Sequence, residues 1–141
     1  MRICLVGCGT NKNDEPTEAQ YMYVSWQWNY KYKAAETLNP DKIYILSAKY
    51  GLLKPTDIIE PYNHKLTNKE SKEWSDKVIN QLKDENIDFE NDEVYFFCGE
   101  LYRKNLINHF KNYIEVGAHK TVGKLMHIYK NIITYKKYEG K

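Results

Sequence analysis

RICLVGC, residues 2–8, is an unbroken apolar run that passes at once into a polar loop, GTNKN at 9–13. A strand with one wet face alternates in polarity, so a run without alternation predicts a strand covered on both faces. KIYILS at 42–47 and EVYFFC at 93–98 read the same way. Three such runs, with helix-like stretches between them, predict an α/β three-layer sandwich around a mainly parallel central sheet. A chain of 141 residues fits one domain over 1–141.

Between the runs the pattern turns helical. The loop at 9–17 leads into an aromatic-rich stretch that reads as one helix to about Leu38, closed by Asn39-Pro40. Residues 68–83 put Trp74, Val78 and Leu82 on one helix face. Past Gly99, Tyr102, Leu106, Phe110 and Tyr113 share a face and predict a third helix, although 113–116 also reads as a short strand. A loop at 117–121 and a helix over 122–133 follow. The tail at 136–141 is expected to be frayed and solvated.

Lys and Arg number 21 against 19 Asp and Glu, so any basic patch must be local rather than global. Thirteen tyrosines, four phenylalanines and three tryptophans can both pack and present hydroxyls. No apolar stretch approaches membrane-spanning length and the start lacks a signal-peptide pattern, so a cytoplasmic protein with no membrane partner is expected. Cys4, Cys8 and Cys98 lie in strand-like runs without CxxC spacing and are expected as buried free thiols. The four histidines show no HExxH pattern and there is no GxSxG elbow, so neither metal, cofactor nor serine-hydrolase chemistry is expected.

Open parallel sheets place ligands at the carboxyl ends of their strands. Three loops are therefore expected to converge: 8–13, 47–53 and 98–105. In the first, the run from Cys8 supplies Gly9, the Thr10 hydroxyl, Asn11 and Lys12. Exposed amides beside the lysine suit a phosphate or carboxylate or simply form a polar turn, without the glycine spacing of a dinucleotide fingerprint or a P-loop. In the second, Ser47, Lys49 and Tyr50 stand where strand turns to loop, and Gly51 permits a bend. Pro55 and Pro61 then stiffen an arm carrying Asp57, Glu60, Tyr62, Asn63 and His64, which reads as a pocket wall or as a cap on the sheet edge. In the third, Gly99 opens a helix and Arg103 lies one turn inside, offered to phosphate or simply solvated. Lys120, Lys124 and His127 can form one basic stripe, a phosphate footprint or a wet face.

The run Ser47-Ala48-Lys49-Tyr50-Gly51-Leu52-Leu53, with Pro55, Asp57, Pro61-Tyr62 and Leu66, resembles the signature of a small bacterial and phage domain family of uncharacterised function. It is also similar to the corresponding stretch of the peroxide-stress protein YaaA. Cys8, Lys12, Ala19, Tyr23, Ser25 and Gly123 match the flanking pattern of the small family. Both groups look distantly similar to the uracil-DNA glycosylase superfamily. That resemblance implies a uracil-DNA-glycosylase-like fold, with a pocket for a flipped base at the carboxyl end of the sheet and loops that hold phosphates. No GxDPY-like motif and no HPS-type intercalation motif is present, so classical uracil excision is not implied.

Three functional readings follow. One is an N-glycosidic bond hydrolase or transferase acting on a modified base, with Asp57 orienting water, Lys49 or Lys12 offsetting phosphate charge, and Tyr50 or Tyr62 stacking on the base. Another is a non-catalytic domain that binds or sequesters a nucleotide or nucleic acid, using Cys8, Gly9, Thr10, Ser47, Gly51, Gly99, Arg103 and Lys124 as well. The third is a structural partner that assembles through its aromatic surface.

Overall fold

Strand β1 (Arg2–Gly7) is the centre of a five-stranded sheet, as its lack of alternation requires. It is flanked in parallel by β3 (Lys42–Ser47) and β6 (Glu93–Phe97). A hairpin strand, β4 (Gly51–Leu53), closes one edge antiparallel to β3, and β7 (Asn112–Glu115) closes the other, parallel to β6. The order is therefore β4-β3-β1-β6-β7, mixed but mostly parallel. This is a computed structural model, and it describes residues 1–140.

Alternate residues of β1 feed two separate cores. Cys4 and Val6 pack with α2 (Trp26–Thr37) and α5 (Val122–Tyr135) through Trp28, Ala35, Met126 and Tyr129. Ile3 and Leu5 pack with α3 (Ser71–Asp84) through Trp74, Val78 and Leu82 on the opposite face. Each fully buried side chain of this size contributes roughly 1.5–3 kcal/mol. The covering of both faces explains why three strands read as continuous apolar runs. Among the described residues no helix is long and apolar enough to cross a membrane.

Two expectations are corrected. The aromatic stretch is not one helix to Leu38: β2 (Thr17–Glu18) and one turn of helix, α1 (Ala19–Met22), come first, and α2 starts afresh. The break falls at Tyr23 and Val24, where Tyr23 forms a β-bridge with Lys12 and the Val24 amide donates to the Asn11 carbonyl at 3.0 Å. Ser25 then caps α2 by accepting from the Trp28 amide at 3.1 Å.

The helix past Gly99 is likewise a single turn, α4 (Glu100–Arg103), and a 3₁₀ turn at Ile107–His109 follows before Tyr113 enters β7. Strand pairing with β6 outweighs the helical spacing of the aromatics, and the Asn105 side chain spends its amide on Ser71 at 3.1 Å. The tail at 136–140 is irregular and mostly exposed, with one anchoring residue. Tyr138 packs against the α2–α5 core and its hydroxyl accepts from the Gly117 amide at 3.1 Å. Lys141, the last residue of the expected frayed tail, lies outside the described residues.

Candidate functional site

Gly7 ends β1 because nothing larger fits: a Cβ there would stand 2.9 Å from the Cβ of Cys98, so the ends of β1 and β6 run together without side chains between them. The chain leaves β1 for β3 on one side and returns to β6 on the other. Connections on opposite sides of one strand pair leave a crevice at its carboxyl end, the usual ligand position of open α/β sheets.

A cleft of about 530 Å³ occupies that position. Its floor is Cys8, Gly9 and Thr10 after β1 and Cys98 and Gly99 after β6. Trp28 and Lys31 of α2 form one wall, and Val116, Leu125, Met126 and Tyr129 form the apolar other. Ser25 and Val122 also line it, so α2 and α5 both present their amino ends to the opening. Ser25 and Thr121 each cap one first-turn amide, and the remaining amides of those turns favour an anion. His119 sits at φ 64° in the left-handed region, in the turn that carries it and Lys120 over the cleft.

The two enclosed cations differ. Arg103 is buried and neutralised: its Nε donates to Glu115 Oε1 at 2.9 Å and its Nη1 to the Cys98 carbonyl at 2.8 Å. Lys31 is half-buried, with its ammonium 5.6 Å from the Trp28 ring centroid, and makes no ion pair or hydrogen bond among the described residues. Burial pushes its pKa down, against a smaller opposing pull from Cys8 and Cys98. Burial pushes the Cys98 thiol up to about 12, with Lys31 and Arg103 opposing, so it stays protonated at neutral pH. The cysteines are free, and no metal-holding cluster is found among the described residues. Glu100 is the carboxylate that lines the cleft.

The expected convergence of three loops is thus met by a different third loop. Residues 116–120 after β7 complete the cleft, while 47–53 folds away as the β3–β4 hairpin. Ser47 is fully buried, and its hydroxyl accepts from the Lys49 and Tyr50 amides at 3.2 and 3.0 Å while donating to the Tyr62 hydroxyl at 2.8 Å. Gly51 turns the chain at φ 79°. Gln81 of α3 then accepts from the Leu52 amide at 2.8 Å and donates to the Tyr50 carbonyl at 3.3 Å, which occupies the outer edge of the sheet.

Of the residues proposed from sequence, Cys8, Gly9, Thr10, Gly99 and Arg103 line the cleft. Lys12 lines a small adjoining recess of about 60 Å³ with Cys8, Asn63, His64 and Tyr102, its ammonium 4.5 Å from the Tyr62 ring centroid. Tyr62 joins Tyr23 through their hydroxyls at 2.7 Å, and its ring meets Tyr50 edge-on. Lys49 is exposed, 5.2 Å from the Tyr50 centroid. Asp57 is not brought to the cleft: its carboxylate accepts from the Lys54 amide at 2.8 Å and borders a depression beside Tyr44 and Glu85. Lys124 lies on the outer face of α5.

Residues 3–131 match the model of a family described as "Family of unknown function (DUF6884)". The chain belongs to that family. No curated protein matches it. The match runs from β1 into α5, so DUF6884 takes in every element that lines the cleft. Lys31 is one of the cleft residues that sequence reading missed, with Trp28, Met126 and Tyr129. Its signal was its position on α2, one turn past Trp28 on the side facing the thiols, which depends on where α2 begins.

Proposed function

We propose that this domain recognises a nucleotide, free or carried by a nucleic acid, and holds it in the cleft at the carboxyl ends of β1 and β6. The observation that carries the reading is Lys31, a half-buried cation without a carboxylate, beside two helix amino ends. A positive group kept where burial disfavours its charge marks a functional site more often than a structural one. A phosphate would satisfy Lys31 and the free amides together. The sugar and base would lie against Val116, Leu125 and Met126, in a volume suited to a mononucleotide.

The uracil-DNA-glycosylase-like relation and N-glycosidic chemistry belong to this proposal as its finer form. The location of the cleft supports them; the placement of Asp57 does not. A hydrolase reading now calls on Glu100, whose side chain is exposed at the amino end of α4. Recognition without catalysis requires fewer groups and is the reading adopted.

Titration calorimetry with the 5′-mononucleotides and with inorganic phosphate tests it. Lys31→Met should weaken binding at least about tenfold, the loss expected for one charge-assisted contact. Wild-type protein that binds none of these probes, or a variant that binds them as well, sinks the reading.

A further inference from the structure

The near-neutral chain is strongly divided by charge. No Asp or Glu occurs from Ala19 to Ala35, which holds α1 and most of α2, or from Val116 to Tyr138, which holds α5 and the returning tail. Those spans carry Lys31, Lys33, Lys120, Lys124, Lys130, Lys136 and Lys137. Glu70 to Asp92, covering α3 and the turn after it, holds eight of the chain's 19 acidic side chains. The helix pair on one face of the sheet is therefore basic, and the layer on the other face carries the compensating acid.

The basic face also exposes aromatic surface. Trp26 is 55% exposed and Tyr21 60% exposed. Trp26 lies at the first turn of α2, between Ser25 and Gln27, which both line the cleft. One turn on, Tyr30 meets Trp26 edge-on at 6.2 Å between centroids, and Lys130 of α5 places its ammonium 5.1 Å from the Tyr30 centroid. Lys124, His127 and Lys130 follow at three-residue spacing and form a ridge across the outer face of α5. Lys120 joins Lys124 and His127 around a shallow depression. From the cleft mouth outward, the surface thus runs from an aromatic ledge to a line of cations.

We infer that the outer face of α2 and α5 is the docking surface for a single-stranded nucleic acid whose end or protruding nucleotide enters the cleft. Bases stack on exposed Trp26, which half-buried Tyr30 braces edge-on, and phosphates follow Lys124, His127 and Lys130. Stacking platforms interleaved with cations are how single strands are held without reading their sequence. An acidic protein would match the charge alone and leave the exposed indole without a partner in kind. A duplex keeps its bases stacked inside and offers none to Trp26. The inference rests on the cleft reading above, because the ledge begins at the cleft mouth.

Fluorescence anisotropy with a labelled mixed-sequence single strand of about 12 nucleotides, a duplex of the same length and polyglutamate tests it, with 5′-mononucleotide binding measured in parallel. The strand should bind more tightly than any mononucleotide, the duplex or polyglutamate. Trp26→Ala with Tyr30→Ala should weaken strand binding roughly tenfold or more while leaving mononucleotide binding unchanged. Lys124→Gln with Lys130→Gln should flatten the dependence of log K on log salt by about 1.4, since each phosphate no longer neutralised lowers the slope by about 0.7. The strand bound no better than a mononucleotide overturns the docking surface and leaves the cleft reading standing. So does strand binding indifferent to all four substitutions, or equal affinity for polyglutamate. Loss of mononucleotide binding from the wild-type protein is the separate failure of the cleft.

Discussion

Ser47→Ala separates the two roles open to the SAKYGLL stretch, ligand contact and internal tie. The buried hydroxyl makes three hydrogen bonds: two accepted from Lys49 and Tyr50, one donated to Tyr62. At about 1 kcal/mol net for each, their removal should cost about 3 kcal/mol. A chain of 141 residues loses roughly 0.3 kcal/mol per degree near its midpoint, so the melting temperature should fall by about 10 °C. Tyr62→Phe removes two bonds and should cost about 2 kcal/mol. Because the two variants share the Ser47–Tyr62 bond, the double variant should fall short of additivity by about 1 kcal/mol. Ser75 supplies the control. It is almost as buried, yet its hydroxyl has no partner among the described residues, so Ser75→Ala should be neutral or slightly stabilising. Urea melts followed by circular dichroism measure all four variants against the wild type. Ser47→Ala within about 0.5 kcal/mol of wild type, or strict additivity in the double variant, refutes the hydroxyl tie.

Lys31→Met should raise stability at neutral pH by on the order of 1 kcal/mol, since it removes a half-buried charge that has no carboxylate partner among the described residues and only the Trp28 ring beside it. The sign follows from the depressed pKa. The unfolded chain binds the proton more readily, so wild-type stability recovers as pH rises from the folded value toward 10.5. The advantage of the variant should therefore shrink between urea melts at pH 7 and at pH 10; a constant or growing gap contradicts the depressed pKa. Gly51→Ala should cost about 3–4 kcal/mol, the sum of a left-handed backbone and the displacement of Gln81 from its two bonds. A thermal melt unchanged within about 2 °C counts against that geometry.

The sheet was legible because burial on both faces erases polarity alternation, and RICLVGC, KIYILS and EVYFFC carry that mark without help from the rest of the chain. Helix α3 was legible for the opposite reason: it covers one face, so Trp74, Val78 and Leu82 keep helical period. Both misread helices are aromatic-rich segments interrupted by a backbone pairing with a distant partner. Tyr23 bridges to Lys12 and Tyr113 pairs with Val94, and spacing along the chain does not encode either partner. The cleft was half legible. Strand ends are visible in sequence, but Leu52 and Leu53 were needed to see that the chain after Ser47 doubles back as an edge strand. Lys31 and the loop at 116–120 come to the cleft only through the packing of α2 beside α5.

The most recognisable stretch of the sequence does not touch the cleft, and its geometry indicates how it can still govern it. Ser47 fixes Tyr62, Tyr62 fixes Tyr23, and Tyr23 bridges to Lys12 in the loop that forms the cleft floor. The arm is held a second time by β2 pairing with β5 (Ile58–Ile59) and by the Ala19 amide donating to the Asp57 carbonyl at 2.8 Å. Burial pushes the pKa values of Tyr23 and Tyr62 upward, so the chain of hydroxyls is uncharged at neutral pH and its bonds do not depend on titration there. Under the proposed reading the loop offers free amides to an anion, and amides so used cannot also fix its position. The hydroxyl chain fixes it from outside and leaves the Gly9 and Thr10 amides without a partner among the described residues, so the signature belongs to the support of the site rather than to its surface.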